Sequence, residues 1–220
     1  MALIPVNADE LLARMEGLRL EQLDLSWVTT LSDSGLASLA KNLSTLTSLN
    51  LAHVGLRDAK EPQERKTLTA DGVHQLAALR SLRSLDVIGI RLAVGDPFQA
   101  VCTLTQLSSL SIDAAQSQYS WDYRQENEIG YDVSPLAKLV HLRQLRCCNI
   151  RAEGLAIVAR LAELRSLALP AGKFDSCKQL TKLTNLEVWA QVAGRAGVRL
   201  LLEIALLERA MRHVSQLHDS

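Results

Sequence analysis

A leucine line of the form Leu-x-x-Leu-x-aliphatic recurs seven times along the chain, with start-to-start spacings of 26, 36, 25, 35, 22 and 19 residues. The lines are Leu20/Leu23/Leu25, Leu46/Leu49/Leu51, Leu82/Leu85/Val87, Leu107/Leu110/Ile112, Leu142/Leu145/Cys147, Leu164/Leu167/Leu169 and Leu183/Leu186/Val188. The last two positions of a line are two residues apart, so a strand turns both side chains to one face. No single line can bury its leucines, and the pattern therefore predicts parallel strands stacked over one core.

The segments between the lines have the spacing of amphipathic helices. Apolar residues recur there at intervals of three and four, which places them on one helix face. The predicted stripes are Leu36, Leu39, Ala40 and Leu43; Val73, Leu76, Ala77 and Leu79; and Leu155, Val158, Ala159 and Leu161. A strand followed by a helix is therefore expected in each unit.

This alternation resembles the leucine-rich repeat family over about residues 18–190. The first unit, "LEQLDLSWVTTLSDSGLASLA", is most similar to the cysteine-containing and ribonuclease-inhibitor-like subclasses. It departs from the former because Val28, Val54 and Ile90 stand where a cysteine is typical. Many members of that subclass are ubiquitin-ligase substrate receptors with an F-box, and the residues before the first line do not resemble one. The resemblance implies an α/β solenoid with about seven parallel strands on a concave face, helices or 3₁₀ segments on the convex side, and a protein partner.

The whole chain, residues 1–220, is expected to form a single solenoid domain with repeats over 20–190 and a helical cap over 1–19. Asn7 can cap that first helix, with Glu10 three residues later. Leu11, Leu12, Met15 and Leu18 would cover the first repeat, and Gly17 would end the helix.

A second capping helix is expected over residues 196–218. Leu200, Ile204, Leu207, Met211 and Val214 would form its apolar stripe. Leu202 and Leu206 lie off the stripe, which indicates either a broad cap face or a contact with a partner.

The two long spacings predict inserts near residues 57–66 and 116–133. The first insert is charged, which is typical of a solvated loop. The second concentrates Tyr and Trp, the residue types that dominate interface hot spots. Half of the eight aromatic residues of the chain lie in it, namely Tyr119, Trp121, Tyr123 and Tyr131. These rings either contact a partner or fold back onto the solenoid.

Charge is balanced overall but divided along the chain. Twenty-four Lys and Arg residues balance 24 Asp and Glu residues. Residues 1–137 carry 11 basic and 17 acidic residues, and residues 138–220 carry 13 and 7. Chance composition explains such a difference; the alternative is that the polarity orients a partner. On the expected exposed face, acidic residues precede basic ones: Asp24, Asp86 and Asp113 come before Arg146, with Arg143 and Arg165 at its rim.

The sequence shows no catalytic or metal-binding constellation. The five histidines are scattered without a metal-ligand spacing, and Cys147 and Cys148 are adjacent, so a strand sends them to opposite faces. The prediction is a non-enzyme without a cofactor. Zero net charge disfavours bulk nucleic-acid binding, and no apolar run reaches the length that spans a bilayer. With four cysteines and no recognisable signal segment, a cytoplasmic location is expected.

Two hypotheses of function remain at this stage. The first is a protein-interaction module or scaffold that binds through the concave face and the aromatic insert. The second is a permanent subunit of a larger assembly, of ciliary, mitochondrial or ubiquitin-ligase type; an enzyme inhibitor is a weaker third. The predicted partner-binding residues are Tyr119, Trp121, Tyr123, Tyr131, Asp24, Asn50, Asp86, Asp113, Arg143, Arg146, Arg165, Glu187 and Trp189.

Overall fold

The seven leucine lines form seven parallel strands of one sheet in the computed structural model. The model describes residues 7–54, 68–90, 92–113, 132–148, 150, 152–170, 183–192 and 195–203. In chain order its strands are β1 (Gln22–Asp24), β2 (Ser48–Asn50), β3 (Leu68–Thr69), β4 (Ser84–Asp86), β5 (Leu92–Val94), β6 (Ser109–Asp113), β7 (Gln144–Cys148), β8 (Ser166–Pro170), β9 (Asn185–Val192) and β10 (Arg195–Glu203). The main sheet runs β1-β2-β4-β6-β7-β8-β9-β10, and β3 pairs with β5 in a small second sheet.

The middle leucine of each line sets the register of the main sheet. Leu23 pairs with Leu49, and Leu49 pairs with Leu85. The same position continues through Leu110, Leu145, Leu167 and Leu186. Leucine therefore meets leucine across every parallel strand pair, and a shift of one residue would turn the whole row toward solvent.

A backbone ladder holds the entry of each strand. The residue before a strand offers its carbonyl oxygen to two consecutive amides of the next strand along the sheet. Arg83 O, for example, accepts from Ser108 N at 2.8 Å and from Ser109 N at 2.9 Å. The same pair of bonds is repeated from Glu21, Thr47, Ser108, Arg143 and Arg165. Residues just ahead of the strands are thus fixed at one strand spacing from each other.

The core lies between the sheet and the helical segments. Leu49, Leu85 and Leu110 are each 1% exposed. Val54 is fully buried, while Val28 and Ile90 pack against the core from partly buried positions. Apolar side chains therefore occupy the place of the expected cysteine in all three units.

Helical segments connect the strands. They are α1 (Ala8–Ala13), α2 (Asp33–Asn42), α3 (Ala70–His74), α4 (Pro97–Val101) and α5 (Ala152–Val158), with 3₁₀ turns at Gln75–Ala78 and Ser134–Lys138. The predicted stripes of α2 and α5 are buried, apart from the half-buried Ala159. The stripe of α3 was wrong at Ala77, which is exposed. The chain changes to a 3₁₀ turn there, with three residues per turn, so Leu76 and Leu79 face the core and Ala77 turns outward.

Glycine at the third position of two helices lets one repeat cap the next. Asp33, the first residue of α2, accepts hydrogen bonds from Thr69 N at 2.9 Å and Thr69 Oγ1 at 2.7 Å, and Thr69 is the N-cap of α3. A Cβ on Gly72 would collide with the Asp33 carboxylate. Asp9 bonds Ser32 in the same way beside Gly35.

We expect Gly72→Ala to destabilise the chain by about 1–2 kcal/mol, because Asp33 must leave Thr69 to make room. Alanine in a helix is otherwise about 1 kcal/mol better than glycine. In an Asp33→Ala background, therefore, the same substitution should be neutral or stabilising. Urea unfolding of the four proteins of this cycle measures the change of sign, and a Gly72→Ala effect independent of Asp33 would contradict the capping role.

The N-terminal cap matches the expectation only in part. The Asn7 side chain accepts from Asp9 N at 3.2 Å, and its amide donates to Glu10 at 3.1 Å. Leu12 is fully buried, but Leu11 is 43% exposed and Leu18 is 48% exposed. The helix ends at Ala13, ahead of Gly17, so Leu18 lies beyond it and does not cover the first repeat.

The expected helix over 196–218 was wrong over its first turns. Residues Arg195–Glu203 form β10, which pairs antiparallel with β9, so Leu202 lies opposite Leu186 in a strand. The run Val-Arg-Leu-Leu-Leu satisfies either period, and the unpaired edge of β9 provides backbone partners for an added strand. Leu206 and the rest of the predicted helix lie outside the described residues.

Candidate functional site

Alternate residues of the parallel strands form one polar face of the sheet, called here the exposed sheet face. Its central row runs through paired positions from Asp24 to Asn50, Asp86, Ser111, Arg146 and Ala168. Acidic residues therefore occupy the first and third strands of this row, neutral Asn50 the second, and Arg146 the fifth. Asp113 lies one step further along its strand, opposite Cys148.

The first three members of this row also build the turns that follow their strands. The Asp24 carboxylate accepts from Ser26 N at 2.8 Å, Asn50 Oδ1 from Ala52 N at 2.9 Å, and Asp86 from Ile88 N at 3.0 Å. Hydrogen bonds from the Ser26 side chain and backbone hold the pKa of Asp24 below its ordinary value, so the group stays ionised. Building these turns therefore explains part of the reason for a polar residue at each position. The exposed sides of the three side chains can still contact a partner.

Asp113, the last residue of β6, holds the turn that follows β4. Its carboxylate accepts from Gly89 N at 2.7 Å, across from β6 to the turn after β4. These hydrogen bonds pre-organise the turns that follow β1, β2 and β4, and pre-organisation lowers the entropic cost of binding.

Three residues at the same repeat position lie just beyond this row. Trp27, His53 and Gly89 each follow the row residue by three, and all have left-handed backbone, with φ of 64°, 59° and 67°. The Trp27 and His53 rings stack with centroids 4.2 Å apart and planes at 25°. A Cβ on Gly89 would collide with the His53 ring, so the missing side chain makes room for it. Trp27 is 58% exposed at the end of this column.

The turn does not require these two aromatic rings. A left-handed conformation costs a non-glycine residue roughly 1–2 kcal/mol, and Gly89 shows that glycine fits the turn. Trp27 and His53 therefore occupy positions where the fold alone would favour glycine. Sequence reasoning missed this pair, although aligning the repeats on Asp24, Asn50 and Asp86 would have placed Trp27, His53 and Gly89 in one column.

The predicted basic residues separate into two places. Arg146 is half-buried in the central row of the exposed sheet face, whereas Arg143 and Arg165 are exposed just ahead of β7 and β8. Arg143 Nε donates to Glu163 at 3.2 Å, and His141 Nδ1 lies 3.3 Å from the other oxygen of that carboxylate. Hydrogen bonds from His141 and then Arg143 lower the pKa of Glu163.

The remaining predicted contacts are not described at the side-chain level. Glu187 and Trp189 lie in β9, where they pair with Ala168 and Pro170 of β8. The insert near 57–66 and the aromatic residues Tyr119, Trp121, Tyr123 and Tyr131 lie outside the described residues. Their role in partner binding stays a prediction.

The described residues offer little reactive or metal-binding chemistry. They contain no cluster of His, Cys, Asp and Glu that could hold a metal ion. Cys102 is buried, and burial raises the pKa of its thiol to about 12, which keeps it in the unreactive protonated form. Within the same ranges, no helix combines the length and apolar character needed to cross a membrane.

Parallel strands in leucine register, with helical segments between them, are the architecture of a leucine-rich repeat solenoid. No family model matches the sequence, and no curated protein matches it. An internalin (inlF) from Listeria monocytogenes is similar in structure over 80% of this chain and 48% of its own, with 20% identity and a TM-score of 0.45. An internalin C2 (inlC2) from the same organism is similar over 76% and 80%, with 20% identity and a TM-score of 0.37. This chain therefore spans about half of the first internalin, and the strand register, not these similarities, carries the fold assignment.

Proposed function

We propose that the chain is a non-catalytic protein-interaction module that binds its partner through the exposed sheet face and the Trp27–His53 stack. One observation carries this proposal. Trp27 is 58% exposed, stacked on His53, and placed at a left-handed turn position where the fold alone would favour glycine. Exposed, pre-positioned tryptophan is among the side chains that contribute most to protein–protein binding.

The charges next to Trp27 indicate which kind of partner surface would fit here. Asp24 lies three residues before Trp27 and is held ionised by Ser26, and Asp86 lies two strands along the same row. A partner that fits here offers an apolar pocket for the indole, flanked by Lys or Arg side chains. Pairing of opposite charges around a buried aromatic anchor provides specificity as well as affinity.

The polarity of the central row adds an orientation. Acidic positions on β1 and β4 give way to Arg146 on β7. A partner with a basic segment at one end and an acidic segment at the other would bind in one direction only. Such a field acts mainly on specificity and the rate of association.

The experiment that tests this function is capture of a partner from the native source by the wild-type chain and by Trp27→Gly. A partner held in stoichiometric amounts by the wild type and lost by the variant is the expected result. Equal capture by both proteins would remove the Trp27 surface from the binding site.

A further inference from the structure

A second candidate surface lies at the opposite end of the strands, called here the amino-end edge. It is formed by the residue directly before each strand and by the residue two positions before that one. A depression of about 380 Å³ opens there, lined by Arg83, Gln106, Ser108, His141, Arg143 and Glu163. Its volume lies within the range of small-ligand and side-chain sites.

The strand register explains why the depression is basic. Thr47, Arg83, Ser108, Arg143 and Arg165 are linked in sequence by the carbonyl ladder, one strand apart. Arg83 and Arg143 are therefore separated by two strand spacings, about 9–10 Å. Ser108 lies between them, and its short side chain leaves the gap open.

Internal hydrogen bonds hold the walls of the depression in place. Arg83 Nη1 donates to the carbonyl oxygens of Arg80 at 2.8 Å and Leu82 at 3.0 Å. Glu163 holds Arg143 through Nε and His141 through Nδ1. Within the described residues, the side chain of Arg143 makes one hydrogen bond, from Nε to Glu163. Its two terminal nitrogens can therefore donate to a ligand.

The geometry points to a binding site for an acidic peptide segment of a protein partner, with carboxylate side chains bridging Arg83 and Arg143 over Ser108. Two guanidinium groups face one carboxylate in this depression, which leaves a net positive charge. Arginine forks match carboxylates in paired hydrogen bonds. Among the described residues that line the depression there is no Phe, Tyr or Trp, the large rings on which the bases of single-stranded nucleic acid stack, and its one imidazole, His141, is engaged with Glu163.

This site deepens the proposed function and rests on it for the class of partner, but it uses residues separate from Trp27. Binding of a fluorescent oligoglutamate peptide to the full chain tests it directly. We expect Arg83→Gln with Arg143→Gln to weaken binding by about tenfold, as expected for loss of charged hydrogen-bond donors. Arg14→Gln, an exposed arginine at the end of α1, is the charge control and should leave binding unchanged.

Glu163→Gln provides a test that misfolding cannot imitate. Removing the competing carboxylate should tighten oligoglutamate binding by about two- to fivefold. Trp27→Gly should bind the peptide like the wild type, so failure of this site and failure of the Trp27 surface are distinguishable.

Three outcomes would overturn the inference. The first is equal weakening by Arg14→Gln, which indicates bulk electrostatics. The second is displacement by inorganic phosphate at the peptide's own concentration, which indicates a small-anion site. The third is stronger binding of an oligouridine probe that depends on Arg83 and Arg143, which indicates nucleic acid.

Discussion

Leu85→Asp should abolish the folded state. Leu85 lies in the third strand of the main sheet, pairs with Leu49 and Leu110 on either side, and is 1% exposed. A carboxyl group there would have to lose its hydration or take up a proton, and it would also give up the packing of the leucine; together these costs are comparable to the whole stability of an ordinary domain. Circular dichroism and size-exclusion chromatography should show an unfolded or aggregated chain.

The neighbouring Ser84 supplies the matched control. It is half-buried on the exposed sheet face, one residue away in the same strand. Ser84→Asp adds the same charge where water can reach it, so we expect a folded protein with a melting temperature close to that of the wild type. A folded Leu85→Asp protein would show that the register of the sheet is wrong.

Trp27→Gly should separate binding from folding. We expect the affinity for the captured partner to fall by about 2 kcal/mol or more, the loss typical of an interface hot spot. Stability should change little, because glycine relieves about 1–2 kcal/mol of left-handed strain while the stack with His53 gives up about 0.5–1.5 kcal/mol. Isothermal titration calorimetry and thermal unfolding measure the two effects on the same samples.

Val94→Ala is the control for that experiment. Val94 is 69% exposed and lies in the small second sheet, outside the main sheet that carries the proposed interface, so its truncation should leave the affinity unchanged. A large loss of stability in Trp27→Gly would instead show that the ring is structural. Equal loss of affinity in both variants would place the interface elsewhere.

The sequence predicts the strands of this fold well because each leucine line is repeated. The position of Leu49 alone could belong to a helix or a strand, but seven lines in one register favour a stacked sheet. The run Val198–Leu202 has no repeat to align with and fits both periods, so its pairing depends on the free edge of β9, a tertiary effect.

Only part of the candidate site could be predicted from the sequence, because alternation gives side-chain directions within a strand but not in the turn after it. Asp24, Asn50 and Asp86 follow from alternation, since each lies one residue past the middle leucine of its line. Aligning the repeats places Trp27 in one column with His53 and Gly89, but the left-handed backbone and the ring stacking at that position come only from the structure.

The amino-end edge was also only partly predictable from the sequence. Arg143 could be placed at the rim from its position before a strand. Its contact with Glu163, however, comes from a different repeat, 20 residues along the chain. Contacts between repeats follow from the register, which only the three-dimensional sheet establishes.

Photo-crosslinking from two single positions tests whether the partner binds the exposed sheet face or the helical side. A photoreactive side chain at Ala52 would lie beside Asn50 and His53, and one at the exposed Gln99 would lie on helix α4. We expect a crosslink to the captured partner from position 52 and none from position 99. A crosslink from position 99 alone would contradict it, because the partner would then bind the helical side rather than the exposed sheet face.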